Sequence, residues 1–219
     1  MSELTLAIGN KNYSSWSLRP WLAMRHAGIP FEERLILLFE ENWEEAIAAI
    51  SPSRRVPVLL HGGRAVWETL AIVEYVNELF PKAGLWPADR EARAHARAVA
   101  NEMHAGFTAL RNHMPMNLRR GDLKGKGRGP GVEDDIARIC EIWRDCRARW
   151  GADGDFLFGA FCAADAMYAP VVTRLDTYGV DLDETCAAYS RAMLSLPAFA
   201  EWREAALREP WIVTEDEID

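Results

Sequence analysis

The chain has 219 residues, 49% of them hydrophobic and 26% charged, with a formal net charge of −8. That balance describes a folded protein of one large or two small domains and excludes a disordered one. An acidic chain also argues against a nucleic-acid binder, which normally carries a basic face.

In chain order, Leu4, Leu6 and Ile8 alternate with Thr5 and Ala7, a strand pattern. The stretch from Ser17 to Ala27 reads as a helix, with Pro20 in its first turn and Gly28 closing it. FEERLILL (31–38) predicts a second strand, and residues 40–50 a Glu- and Ala-rich helix. VPVLL (56–60) and AVW (65–67) flank His61-Gly62-Gly63-Arg64, a hairpin signal. The next helix carries Ile72, Val73, Val76, Leu79 and Phe80 at a period of about 3.6 until Pro81 stops it.

The order β-α-β-α-β-β-α is that of a thioredoxin-like unit, placed at residues 1–81. PKAGLWPA (81–88) is rich in breakers and puts a linker at 82–88. Beyond it no strand pattern appears, so residues 89–219 are read as an all-helical domain. The predicted fold is α+β in two domains. Ala92, Ala96, Val99, Ala100, Met103, Phe107, Leu110 and Met114 mark one face of a long helix over 89–118. GDLKGKGRGPG (121–131) is a loop by composition, and further helices are expected at 132–150, 163–178 and 186–208.

The N-terminus does not read as a secretory signal, and no apolar run is long enough to span a bilayer. Four cysteines without CxxC spacing suggest reduced thiols and a cytoplasmic setting. His95, His104 and His113 sit nine residues apart, so neighbours in the series face opposite ways and no metal site is expected. GDLKGKG (121–127) lacks the spacing of a phosphate loop.

Three fragments carry chemistry in combination: SSWSLRPWLAMRHAG (14–28), SRRVPVLL (53–60) and WETLAIVEYV (67–76). Together with FCAADAMYAP (161–170) they resemble the glutathione transferases, and the serine-type zeta class most of all. The resemblance implies a homodimer, glutathione as co-substrate and a hydrophobic electrophile as second substrate. A free thiol has a pKa of about 8.5, so the enzyme must stabilise the thiolate. A hydroxyl donor at a helix N-terminus does so by hydrogen bond and dipole.

Carried over by position, Ser14 is the thiolate donor and Ser15 a supporting contact, with Tyr13 a rival donor. The plain alternative is that these serines cap the helix. Trp16 stands where the zeta pattern has cysteine, and its bulk keeps a non-catalytic binding module in view. Val56-Pro57 resembles the Val–cis-Pro signature whose backbone pairs with the cysteinyl unit, like an added strand. Glu68 would hold the ammonium of glutathione. Thr69, opening a helix, would take the γ-glutamyl carboxylate. Arg54 and Arg55 could reach the glycyl carboxylate or remain solvated. Asp165 lacks the hydroxyl partner of a capping box and is read as structural.

His104, Phe107 and Arg111 are expected to line the second-substrate pocket. A zeta-type maleylacetoacetate isomerase is the alternative activity. Its substrate-binding arginine would fall at Thr177, with Arg174 almost a turn away.

Overall fold

The computed structural model describes residues 3–218. Strand β1 (Leu4–Ile8) pairs in parallel with β2 (Glu32–Leu35) and antiparallel with β3 (Val58–His61), which pairs antiparallel with β4 (Arg64–Trp67). The sheet order is β2-β1-β3-β4. The alternation read in β1 divides its side chains between two layers. Leu4, Leu6 and Ile8 join the large core with helices α1 (Ser15–His26) and α3 (Thr69–Leu79). Ala7 and Val58 face the other way, against Ile47 of α2 (Trp43–Ala48). The fold is thioredoxin-like in this half.

From residue 90 onward the described elements are helical: α4 (Arg90–Ala105), α5 (Thr108–His113), α6 (Val132–Trp150), α7 (Ala163–Thr177), α8 (Glu184–Leu194) and α9 (Pro197–Arg208). Two of the expected helices divide. The predicted 89–118 helix breaks at Gly106, and Phe107 takes a left-handed conformation (φ 55°) before α5 begins. Asp135 of α6 then accepts from the Leu110 N–H at 2.9 Å, satisfying one of the exposed donors of the new helix. The predicted 186–208 helix breaks at Ser195–Leu196, and Pro197 opens α9, a position where its missing N–H costs nothing.

Helix α7 is buried along most of its length, its first turn tied down by Asp165. The fully buried carboxylate accepts from the Cys162 N–H at 2.8 Å and the Leu157 N–H at 3.0 Å. Burial nevertheless pushes its pKa up to about 6.

The two halves are joined through α1. Arg19, fully buried, donates through Nε to the Met167 carbonyl of α7 at 3.0 Å. The Trp21 ring meets Trp202 of α9 edge-on, with centroids 5.1 Å apart. None of the described helices is long and apolar enough to cross a membrane.

Candidate functional site

The loop between β1 and α1 is held from several directions. Asn10 accepts from the Tyr13 and Ser14 N–H groups through its carbonyl, and from Leu38 N–H through its side chain. Asn12 donates through Nδ2 to Asn117 Oδ1 at 2.9 Å. The segment after α9 crosses the same loop. Glu209 accepts from the N–H groups of Lys11 (2.7 Å) and Asn12 (3.0 Å). Arg119 donates to the carbonyls of Glu209 and Trp211 and to the Tyr13 hydroxyl. Tyr13 in turn donates to Glu217 at 2.6 Å. The phenol is therefore spent on the tail. Burial and the Glu217 contact raise its pKa, the wrong direction for activating a thiol.

Helix α1 begins at Ser15, two residues earlier than the sequence pattern predicts, so Pro20 falls in the second turn. Ser14 precedes the helix but makes no capping bond; its hydroxyl donates to Ser17 Oγ at 2.7 Å, which also accepts from Gly9 N–H. The Ser15 hydroxyl has no partner among the described residues.

Pro20 explains a further contact. Without an N–H it cannot bond to the Trp16 carbonyl four residues back. The Thr69 hydroxyl donates to that carbonyl instead, at 3.2 Å. Thr69, first residue of α3, thereby locks the two helix N-termini together. Its hydroxyl proton is committed, so any anion at this helix end would be met by the backbone N–H groups of the first α3 turn.

Two cavities, each of about 380 Å³, meet here. One is bordered by Ser53, Arg55, Val56, Pro57, Glu68, Thr69 and His104. The other is bordered by Tyr13, Ser14, Ser15, Phe39, Arg174 and Asp216, among others. Trp16, Arg55, Val56 and Arg111 border both. The Trp16 indole has the Arg19 guanidinium 4.1 Å and the Arg111 guanidinium 5.5 Å from its ring centroids, with His104 edge-on at 5.2 Å. Such cation–π contacts fix the ring without closing either cavity.

The Val56-Pro57 peptide is cis. Glu68 has φ 68°, uncommon for a residue with a side chain, and lies 3.7 Å from His104 Nε2. Burial lowers the His104 pKa, so at neutral pH the ring leaves the Glu68 charge uncompensated.

Most of the residues singled out in the sequence come together: Ser14, Ser15, Tyr13, Arg54, Arg55, Val56, Pro57, Glu68, Thr69, His104 and Arg111 all border one or both cavities. Phe107 borders neither; its left-handed backbone turns it into the core, where it is 7% exposed. Thr177 lies on a different cavity, whereas Arg174 borders the serine-lined one. Arg174 is buried, donates to the carbonyls of Met114 (2.7 Å) and Pro170 (3.1 Å), and its pKa is lowered by burial to about 10. Sequence reasoning missed Asn12 and Arg119, whose partners Asn117 and Tyr13 lie 105 and 106 residues away, Asn10, which reaches across to Leu38, and Asp216, which the fold brings to the cavity wall from the end of the chain. Pro20 inside the α1 pattern was the one local signal, since it announces an unpaired carbonyl at Trp16.

Known proteins share this sequence and fold in part. Residues 13–79 match the family model for the glutathione S-transferase N-terminal domain. The chain is 29% identical over 202 residues to a probable maleylacetoacetate isomerase of Vibrio cholerae, covering 86% of this chain and 90% of the relative. It is 24% identical over 190 residues to a probable maleylacetoacetate isomerase of Caenorhabditis elegans, covering 84% and 86%. Among solved structures, a glutathione transferase homologue from Burkholderia with bound glutathione superposes with a TM-score of 0.71 at 23% identity, covering 93% of this chain and 98% of that one. A homologue from Sulfitobacter, also with bound glutathione, gives 0.65 at 25% identity, covering 94% and 100%. Residues 13–79 thus carry the glutathione S-transferase N-terminal domain, and by its two-part fold and by relatives that run most of its length the chain is similar to the glutathione S-transferases.

Proposed function

We propose that the protein binds glutathione and activates its thiolate for attack on an electrophilic carbon. The observation that carries this reading is the meeting of two cavities at one wall, the first built from backbone and charge, the second opening on two serines at a helix N-terminus.

In this reading the γ-glutamyl carboxylate takes the free N–H groups at the start of α3. Glu68 pairs with the ammonium, Val56 offers its backbone to the cysteinyl unit, and Arg55 reaches the glycyl carboxylate. The sulfur then lies past Trp16, over Ser14 and Ser15. Ser15 has a hydroxyl with no bond to give up, while Ser14 must release Ser17. The Glu217 contact that holds the Tyr13 proton favours the serines over Tyr13 as donor. Trp16 forms a shared wall rather than a plug, which favours catalysis over a purely binding module.

A calorimetric glutathione titration in two buffers of different ionisation heat tests the reading. Binding with close to one proton released at neutral pH supports it. Binding with neither proton release nor thiolate absorbance leaves a non-catalytic module, and no binding at millimolar glutathione removes the assignment altogether.

A zeta-type cis–trans isomerase is the second reading. Relatives named maleylacetoacetate isomerase and the position of Arg174 and Arg111 on the serine-lined cavity favour it, since two guanidiniums suit a carboxylated substrate. Turnover of maleylacetone decides it. An enzyme that conjugates aryl halides but leaves maleylacetone unchanged is a transferase only. A cytoplasmic homodimer is proposed by resemblance and is checked by sedimentation.

A further inference from the structure

Among the described residues, Asp216 is the only acidic side chain bordering the serine-lined cavity. It ends a short 3₁₀ turn (Thr214–Asp216) in the tail that crosses the β1–α1 loop. Its carboxyl is half-buried and, among the described residues, has neither a hydrogen bond nor an ion pair. A carboxylate withdrawn from water without a partner is destabilising, and chains keep such groups where they serve chemistry. The groups acting on it are Arg174 from α7, Glu215 and Glu217 beside it, and Tyr178 just after α7. Across the cavity stand Tyr13, Arg54, Arg55 and Arg111. Burial dominates, and the carboxyl is raised to about 6 despite Arg174. Arg174 does not quench it, because its Nε and Nη1 are directed at backbone carbonyls.

We propose that Asp216 is a catalytic acid–base group that carries the thiol proton of glutathione to carbon when the second substrate is a conjugated unsaturated carbonyl. This rests on the glutathione reading above. The Asp216 carboxylate takes the proton from the thiol, and the S–H bonding pair stays on sulfur. That pair forms the new C–S bond at the far alkene carbon, while the alkene π pair moves toward the carbonyl as an enolate. Arg111 and Arg174 border the same space and stabilise the enolate charge. The Asp216 O–H bond then breaks, and its proton goes to the carbon next to the carbonyl. The product is a thioether, the carboxylate is regenerated, and no other reagent is consumed. Displacement of halide from an aryl halide ends without a proton on carbon, so the two reactions use Asp216 differently.

The test compares the wild type with Asp216→Asn and Asp216→Glu, using an aryl enone and a dinitrophenyl halide, each across pH 5–8. Asparagine fills the same space, and the tail stays fastened through Glu209 and Glu217. Thermal midpoints establish that the variants fold. The expected result is at least a ~10-fold fall in the ratio of enone to aryl-halide kcat/KM for Asp216→Asn. The wild-type enone profile has a limb near pH 6, which disappears in Asp216→Asn and returns in Asp216→Glu. An unchanged ratio, or a wild type active on the aryl halide but not on the enone, overturns the proposal. A wild type inactive on both overturns the glutathione reading itself.

Discussion

At the scale of single residues, the site depends on where one proton donor is missing. Pro20 leaves the Trp16 carbonyl open, and Thr69 fills it. Thr69→Val therefore strands a carbonyl and loosens the link between the α1 and α3 N-termini. The expected cost is ~1–3 kcal/mol of stability, with a raised KM for glutathione and a smaller change in kcat. Denaturant melts and steady-state kinetics read the two effects. Ser15→Ala is expected to raise the pKa of bound glutathione by about one unit, equivalent to ~1.4 kcal/mol, read from thiolate absorbance against pH. Ser14→Ala also removes the hydroxyl that donates to Ser17, the residue that holds the Gly9 N–H, so it should lower stability as well. The serines, the Val56-Pro57 turn and Glu68-Thr69 were legible in the sequence because each is a local pattern. The commitment of the Tyr13 hydroxyl was not, because Glu217 lies 204 residues away.

At the scale of elements, boundaries deviated where apolar periodicity ran on across a break. The stripe from Ala92 to Met114 reads as one helix, yet Gly106 and the left-handed Phe107 split it. The stripe survives because both pieces still bury one face. The break swings α5 so that Arg111 reaches the cavities while Phe107 joins the core. The same logic joined α8 to α9, although Pro197 marked the start of a new helix. The structural reading of Asp165 finds its reason here, in two buried N–H groups that share its carboxylate. Asp165→Ala leaves both without an acceptor and should destabilise the protein by ~2–4 kcal/mol, with the glutathione KM of the remaining folded fraction little altered. Chemical denaturation at fixed pH checks this.

At the scale of the whole molecule, the two halves are coupled by buried polar contacts that composition alone could not announce. Arg19 reaches from α1 to the α7 backbone, and its Nη2 is buried without a partner among the described residues. Nothing local in the sequence shows that α7 will cover this arginine. Arg119 does the equivalent task on the tail, with bonds to Glu209, Trp211 and Tyr13. Arg119→Met keeps the bulk but drops these bonds. The expected outcome is faster amide exchange over 209–217 and a lower kcat, with exchange in α6 and α7 unchanged. Hydrogen exchange followed by mass spectrometry resolves the two regions.

The tail contacts also bear on the order in which the molecule comes together. The Glu209 bonds to Lys11 and Asn12 span 198 and 197 residues, so they close only after nearly the whole chain has been ordered. Helical content can form from near-neighbour contacts long before that closure. In a refolding experiment, the far-ultraviolet signal should recover first and glutathione turnover should trail it. The enzyme would thus pass through a well-folded but inactive interval, and the length of that lag would measure how slowly the final knot is tied.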